Sequence, residues 1–232
     1  MSGLPLGPIV DATPRPVPAR MPLHGRYVNL EPLHVNHTPD LWRAAEAGTA
    51  RGDQSWTYLS YGPFASEDAM ARFIADFSTR LDSVAWAVRP IATGAVSGWL
   101  TLMNIEPANA AIELGNIWFA PCLQRTPAAT EAMFLPLRLA GDDLGYRRLV
   151  WKCHALNAPS RRAAERLGFV FEGIHRAHQV VKGRQRDTAW YSMLAEEWAR
   201  SRDAILAWLD PANFAPDGVP KRGLAELRRA LA

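Results

Sequence analysis

The stretch from Val84 to Phe119 constrains the fold most. Three strand-like segments, Val84–Arg89, Val96–Ile105 and Ala111–Phe119, follow one another with only short connections, the first a turn at Thr93-Gly94. A parallel crossover needs about a dozen residues or more, so strands joined this closely pair antiparallel, as a meander. After Phe119 the pattern changes. Pro121–Arg125 is a loop leading into a helix, and Arg148–Cys153 reads as a buried strand. A second helix runs to Leu167 with Gly168 as its C-cap, and two more strands flank a turn at Lys182-Gly183. Strands first, then alternating helices and strands, give an α+β sandwich: one mixed, mostly antiparallel sheet with helices on both faces.

Upstream, Tyr27–Leu33 is a short strand, and Thr38 or Asp40 can cap a helix running through Ala47. Residues 53–64 form an aromatic loop (Trp56, Tyr58, Tyr61, Phe64). Ser66 then caps an amphipathic helix whose apolar residues Ala69, Met70, Phe73, Ile74, Phe77 and Leu81 make one buried stripe. The first 22 residues hold six of the 18 prolines, which reads as an extended strap outside the core. Glu196–Leu209 and Lys221–Ala232 are helical, with a break at 210–220. The chain thus divides into an arm (1–22), a central domain (23–195) and a C-terminal helical extension (196–232).

A chain of 232 residues, 48% hydrophobic and 21% charged, can bury a full core, which excludes a disordered protein, a collagen-like repeat and a disulfide miniprotein. Its longest uncharged run, Pro90–Ile105, is interrupted by glycine, serine and threonine, so no membrane span is expected. Without a basic flank and apolar block at the N-terminus, no secretory leader is expected either. Cys122 and Cys153 then read as free thiols and the cytoplasm as the location. Net charge is +3, but ten Lys/Arg residues between Arg147 and Arg186 face only Glu165 and Glu172, a local excess of +8. Such a block suits a polyanion, either nucleic acid or a phosphorylated cofactor; the alternative is a solvated arginine-rich face.

Gln124-Arg125-Thr126-Pro127-Ala128-Ala129-Thr130-Glu131 is the sharpest local signal. Thr126 suits N-cap and Pro127 suits N1. The N–H groups of Ala128, Ala129 and Thr130 should then point out of the helix end, and with Arg125 beside them they make a seat for a pyrophosphate. Downstream, Asn157 caps a short helix through Ser160, Arg161, Arg162, Ala163 and Ala164, where the two alanines should leave a shallow groove.

Together these segments resemble the GNAT superfamily of acyl-CoA-dependent N-acyltransferases, in the branch of RimJ/RimL-like ribosomal-protein acetyltransferases. The family loop, Gln/Arg-x-x-Gly-x-Gly/Ala before a helix with Glu-Ala, stands here as Gln124 to Ala129 and then Glu131-Ala132. Its second motif stands as Asn157, Ser160, Leu167-Gly168-Phe169 and Glu172-Gly173. Asn104-Ile105-Glu106-Pro107 leading into Glu113-Leu114-Gly115 is similar to a hairpin of the RimL-like branch. The likeness runs from about Gly25 to Asn213. Two positions depart from it: Pro127 replaces a loop glycine and its N–H, and Ala164 stands where many relatives carry a tyrosine that protonates the leaving thiolate.

The resemblance implies a GNAT fold with splayed central strands, and acetyl-CoA or another acyl-CoA as donor, succinyl-CoA being an alternative. Direct attack by a primary amine, on a protein N-terminus or lysine or on a small molecule, would complete the reaction. It implies donor binding by the backbone at Ile117 and Phe119, by Gln124, Arg125, Thr126, Ala128, Ala129 and Thr130, and by Asn157, Ser160 and Arg162. Glu113 is the expected base, acting through a water, with Glu106 second. To hold a proton near neutrality Glu113 needs apolar surroundings, expected from Trp99, Leu114 and Trp118, although pairing with an arginine would make it structural. Ser160 is the expected donor toward the thiolate. Arg26, Arg89 or Arg176 would suit a succinyl carboxylate, the aromatic loop would wall the acceptor pocket, and His154, His175 and His178 would line it rather than bind metal. The arm and C-terminal helices are expected to contact other subunits of a homo-oligomer. The competing reading is an acyl-CoA-binding interaction protein without turnover; nucleic acid is the weaker explanation of the basic block.

Overall fold

A computed structural model describes residues 3–46 and 48–231. Its framework is a sheet of eight strands: β1 (Leu23–His24), β2 (Val28–Pro32), β3 (Val84–Pro90), β4 (Gly98–Glu106), β5 (Ala111–Phe119), β6 (Arg148–His154), β7 (Val170–Val181) and β8 (Arg184–Leu194). They lie in the order β1-β2-β3-β4-β5-β6-β8-β7, and each neighbouring pair is antiparallel except β5 with β6. The helices are α1 (Thr38–Ala44), α2 (Ala50–Gln54), α3 (Glu67–Thr79), α4 (Pro127–Arg138), α5 (Ala158–Leu167), α6 (Ala195–Leu209) and α7 (Leu224–Ala230).

Side chains alternate across a strand, so each meander strand feeds two cores. Ala85, Ala87, Trp99 and Trp118 pack with Leu41 of α1 and Met70, Ile74 and Phe77 of α3. Trp86, Val88, Leu100, Leu102 and Leu114 pack on the other face with Phe134 of α4 and Trp198, Ile205 and Trp208 of α6. Residues 196–231 therefore supply part of the principal core, with Leu224 and Leu227 of α7 joining it.

Local signals in the sequence were mostly obeyed. Ser66 caps α3 by accepting from Ala69 N at 3.2 Å. Lys182 and Gly183 both take positive φ, the backbone of a tight two-residue hairpin turn. Elsewhere the structure corrects the reading. The residue capping α1 is His37: Thr38 is already helical, with its hydroxyl on Val35 O at 2.6 Å, and the Asp40 carboxylate accepts from Val96 N at 3.1 Å. Among the described residues this helix ends at Ala44; the expected end at Ala47 lies outside them. Residues 53–64 begin inside α2. Leu81 is 96% exposed, because Arg80 turns to an extended conformation and takes the chain off the α3 stripe. Lys221 lies in a loop, its ammonium on Ala212 O, and α7 starts only at Leu224 after Gly223; the expected helix end at Ala232 lies outside the described residues.

Residues 3–14 are exposed, whereas 15–21 strap one end of the sheet. Arg15 N donates to Pro107 O at 3.0 Å, Pro16 O accepts from the Tyr146 hydroxyl at 3.1 Å, and Met21 O accepts from Trp86 Nε1 at 2.8 Å. The Arg20 guanidinium donates to the carbonyls of Ser78, Arg80 and Ser83.

Candidate functional site

The central strands open. β5 and β6 pair only at Ala111↔Arg148, Ile112↔Leu149 and Glu113↔Val150. Beyond that β5 stays with β4 as far as Phe119, while β6 stays with β8 as far as His154. Two bulges shape the opening. Between Trp118 and Gly115, β5 carries one residue more than β4, and Asn116 takes φ +49°. The Tyr61 hydroxyl donates to Asn116 O at 3.2 Å and steadies this bulge. Between Met103 and Glu106 the extra residue is on β4, and Asn104 takes φ +44°. A bulge re-aims side chains, and this one sends Asn104 Nδ2 to Glu113 Oε2 at 2.7 Å.

Glu113 is 5% exposed. Its surroundings differ from those expected. Trp99 and Trp118 are engaged with Trp56, which stacks on Trp118 at 4.2 Å, and Leu114 faces the opposite core. The carboxylate instead meets Lys152 Nζ at 2.8 Å as well as Asn104, so its basic partner is a lysine, not an arginine. Lys152 also sits 4.0 Å from the Trp190 ring centre, a cation–π contact. Gly115 leaves the space this needs: a Cβ there would lie 2.7 Å from Met103 Sδ and 3.1 Å from Glu113 Oε1. Glu106 is exposed at the far turn and accepts from Asn109 Nδ2 at 2.8 Å.

At the open end of β5, Thr126 caps α4 as expected, its Oγ1 accepting from Ala129 N at 3.1 Å. That bond, and Thr130 N on Thr126 O at 3.3 Å, remove two of the three N–H groups expected to be free. The Thr130 hydroxyl accepts from Arg166 Nη1 at 3.2 Å and is buried. The N–H groups of Arg125, Thr126 and Ala128 have no partner among the described residues, and Arg125 takes φ +65°. A left-handed residue before a helix N-terminus gathers successive N–H groups into an anion-binding concavity, so these residues fit a pyrophosphate although Pro127 lacks its donor. Gln124 is held by Nε2 on Phe119 O at 2.9 Å. A cavity of about 600 Å³ adjoins this loop, lined by Arg26, Arg43, Ile91, Val96, Cys122 and Thr126 among others.

Helix α4 is anchored by a contact the sequence reading missed. The buried Glu131 carboxylate accepts from the backbone N–H groups of Arg26 at 2.9 Å, Tyr27 at 2.6 Å and Val28 at 3.1 Å.

On α5, Asn157 Oδ1 accepts from Ser160 N at 3.1 Å, an N-cap as expected. The Ser160 hydroxyl accepts from Trp151 Nε1 at 3.1 Å. Burial pushes the Cys153 thiol up, partly offset by a hydrogen bond with Ser160, which is the opposite of an activated nucleophile. Of the two alanines expected to leave a shallow groove, Ala164 is fully buried and Ala163 stays partly exposed. Arg162 is exposed; Arg161 Nε donates to the Tyr191 hydroxyl at 2.9 Å.

Trp56, Tyr61 and Phe64 of the aromatic loop are core, packed on Trp99, Phe73 and Trp118; only Tyr58 leans outward, to His154 at 5.1 Å between ring centres. Burial pushes the Tyr61 phenol well above its ordinary range, so it acts as a fixed hydroxyl. His175 stacks on Trp190 at 4.6 Å, and His178 Nδ1 is 3.0 Å from Thr188 Oγ1. Among the described residues no three His, Cys, Asp or Glu side chains gather to hold a metal ion. Arg89 is spent on Glu31, with bonds of 2.7 and 3.0 Å. Arg26 borders the cavity beside the loop and Arg176 is exposed on β7. No helix among the described residues is long and apolar enough to cross a membrane.

Known proteins share this arrangement. The model of the acetyltransferase (GNAT) domain matches residues 28–170. A crystal structure of a GCN5-related N-acetyltransferase from Brucella melitensis aligns with TM-score 0.91 and 46% identity over 94% of this chain and 99% of that one. A GNAT-family structure from Chromobacterium violaceum ATCC 12472 aligns with TM-score 0.77 and 37% identity, over 84% and 98%. YdaF of Bacillus subtilis (strain 168), provisionally named a ribosomal N-acetyltransferase, is 30% identical over 105 residues, 45% of this chain and 57% of that relative, so the match spans little more than half of it. A sheet whose central parallel strands part beside a helix-capping anion loop, matched by a family model over most of its length, identifies this chain as a member of the GNAT acetyltransferase family, the acyl-CoA-dependent N-acyltransferases.

Proposed function

We propose that the protein transfers an acetyl group from acetyl-CoA to the amine of a protein N-terminus, by direct attack while donor and acceptor are bound together. The observation that carries this reading is the parting of β5 and β6 after Glu113, directly beside three unpartnered N–H groups on Arg125, Thr126 and Ala128. The opening is a place for an extended donor, and the loop is a place for its phosphates, with Arg125 and Arg162 exposed for charge neutralisation. When bound, the donor supplies an activated acyl carbonyl.

The chain's own groups do the rest. Backbone N–H groups of Ile117–Phe119 polarise that carbonyl. Glu113, oriented by Asn104 and Lys152, receives the proton released as the amine nitrogen forms its new bond to carbon, through a water held between them. Ser160 accepts from Trp151 and hydrogen-bonds the buried Cys153 thiol, so its hydroxyl must turn from Cys153 to protonate the departing sulfur. No tyrosine is needed at Ala164.

A protein N-terminus is favoured by the ribosomal assignment of YdaF. Acetyl is the donor proposed; of the arginines that would suit a succinyl carboxylate Arg89 is paired internally, whereas Arg26 borders the cavity and Arg176 is exposed. The exposed Leu4, Leu6 and Ile9 of the arm favour contact with a second copy, an idea that sedimentation as a monomer at micromolar concentration would end. The test of the main reading is mass-spectrometric detection of acetyl transfer to N-terminal peptides with acetyl-CoA and with succinyl-CoA. Transfer from acetyl-CoA is expected; binding of the donor without transfer to any amine would favour the interaction-protein reading instead.

A further inference from the structure

Strand β8 runs without a bulge through Arg186, Thr188 and Trp190, which are spaced by two and so share one face. Lys152 and His154 of β6 lie directly opposite Trp190 and Thr188, and Lys152 carries that face across to Glu113. On the other side His175 of β7 is opposite Thr188 and stacks on Trp190. The 56–58 segment bridges to the β7–β8 hairpin and to β6: Lys182 Nζ donates to Trp56 O at 2.9 Å, and the Tyr58 ring meets His154.

Charges on this face do not balance. Lys152 is neutralised by Glu113. Asp187, the residue after Arg186 and on the opposite face of the strand, is occupied by Ala177 N at 2.7 Å and Gln185 Nε2 at 2.9 Å. Arg186 has neither an ion pair nor a side-chain hydrogen bond among the described residues, and its Nε is buried without a partner. Half burial pushes this guanidinium below its ordinary range, and the nearby Cys153 and Glu113 only partly offset that. A desolvated, unpaired cation is costly. Other partly buried arginines here have an ion pair or a side-chain hydrogen bond: Arg89 with Glu31, Arg148 with Glu172, Arg166 with Thr130, and Arg15 with Asp11 although its Nε is also buried without a partner.

Resting on the transfer proposed above, we propose that Arg186 completes an acceptor subsite for a carboxylate, so that the acceptor is a peptide whose reactive N-terminus is followed within about two residues by Asp or Glu. Glu113 serves the amine and Arg186 the acidic side chain. Arg186 and Trp190 are four residues apart on one strand, about 13 Å at the usual rise. The lengths of the arginine and of the acidic side chain together close that span. A charge-assisted hydrogen bond of this kind discriminates by about ten-fold or more.

The experiment uses the full chain and three tetrapeptide amides, identical except for Glu, Gln or Lys as second residue. Binding to the enzyme–CoA complex is measured by calorimetry, and acetylation by kcat/KM with acetyl-CoA. The Glu peptide is expected to exceed the Gln peptide about ten-fold in both. Arg186→Gln is expected to bring the ratio to about one and Arg186→Lys to recover part of it, with thermal midpoints showing that each variant folds. A ratio near one in the wild type, or one that survives Arg186→Gln, overturns the proposal. So does a dependence on Arg186 seen only with succinyl-CoA on the Gln peptide, which would put the carboxylate on the acyl group. A binding ratio without acetylation supports the subsite and counts against the transfer reading; acetylation without a ratio does the reverse.

Discussion

Glu131→Gln is the sharpest test of how the anion loop is held in place. The carboxylate lies inside the protein, 6% exposed, and takes three N–H groups from one turn: Arg26 on Oε1, Tyr27 and Val28 on Oε2. Gly25 precedes them because a Cβ there would overlap the carboxylate. Hydrogen bonds to a charged group contribute about 1.5–3 kcal/mol each, neutral ones about 0.5–1.5. Glutamine can keep an oxygen toward Tyr27 and Val28, which weakens two bonds by about 1 kcal/mol each. Its NH2 then opposes the Arg26 N–H, which loses the third bond. The sum is about 3.5–5 kcal/mol, and at about 2–4 °C per kcal/mol for a chain of this size the thermal midpoint should fall by roughly 7–20 °C. Urea and thermal denaturation followed by circular dichroism measure it. A variant within about 0.5 kcal/mol of the wild type would show that the three bonds do not anchor α4.

Other consequences follow from the same geometry. Glu113→Gln should lower kcat by about 10²-fold or more while leaving the affinity for acetyl-CoA near that of the wild type, and an unchanged kcat would remove Glu113 from the base role. Gly168 ends α5 at φ +114°, where a Cβ would overlap the Ser201 hydroxyl, whereas Gly94 at φ +66° has open space around it. Gly168→Ala should therefore cost about 2 kcal/mol or more and Gly94→Ala about 1, and equal costs would refute the packing argument. The Glu31 and Glu172 carboxyls are held below the usual 4.5 first by hydrogen bonds from Arg89 and Arg148. The stability they give is present above pH 4.5 and is lost as pH falls through their lower folded values. Arg89→Leu and Arg148→Leu should flatten the fall in stability below pH 4.5, and an unaltered slope would contradict this.

The readable parts of this chain were those decided by neighbours in sequence. Ser66, Thr126 and Asn157 cap helices because a short side chain reaches an N–H two or three residues ahead, and Gly168 ends one because it tolerates positive φ. The meander was legible because its connections leave no other pairing. What escaped depends on contacts distant in sequence. The strands part where two bulges place Asn104 and Asn116 at positive φ, and an asparagine inside a strand is only a faint mark of that. Lys152 reaches Glu113, and Glu131 reaches Arg26–Val28, only after the sheet has formed. Trp56, Tyr61 and Phe64 could equally have lined a pocket; burial against α3 made them core. Leu81 kept the helical spacing, but no local signal announced the stop at Thr79.

The proposed transfer requires the donor to occupy the gap between β5 and β6 with its phosphates on the Arg125–Ala128 loop. Amide hydrogen exchange of the full chain, with and without acetyl-CoA, tests this most directly. Slowed exchange is expected at the N–H groups of Arg125, Thr126 and Ala128 and along Leu114–Phe119, where β6 has left β5. Protection confined to other segments, such as the cavity walls at Ile91 and Val96, or no protection at saturating acetyl-CoA, would contradict it.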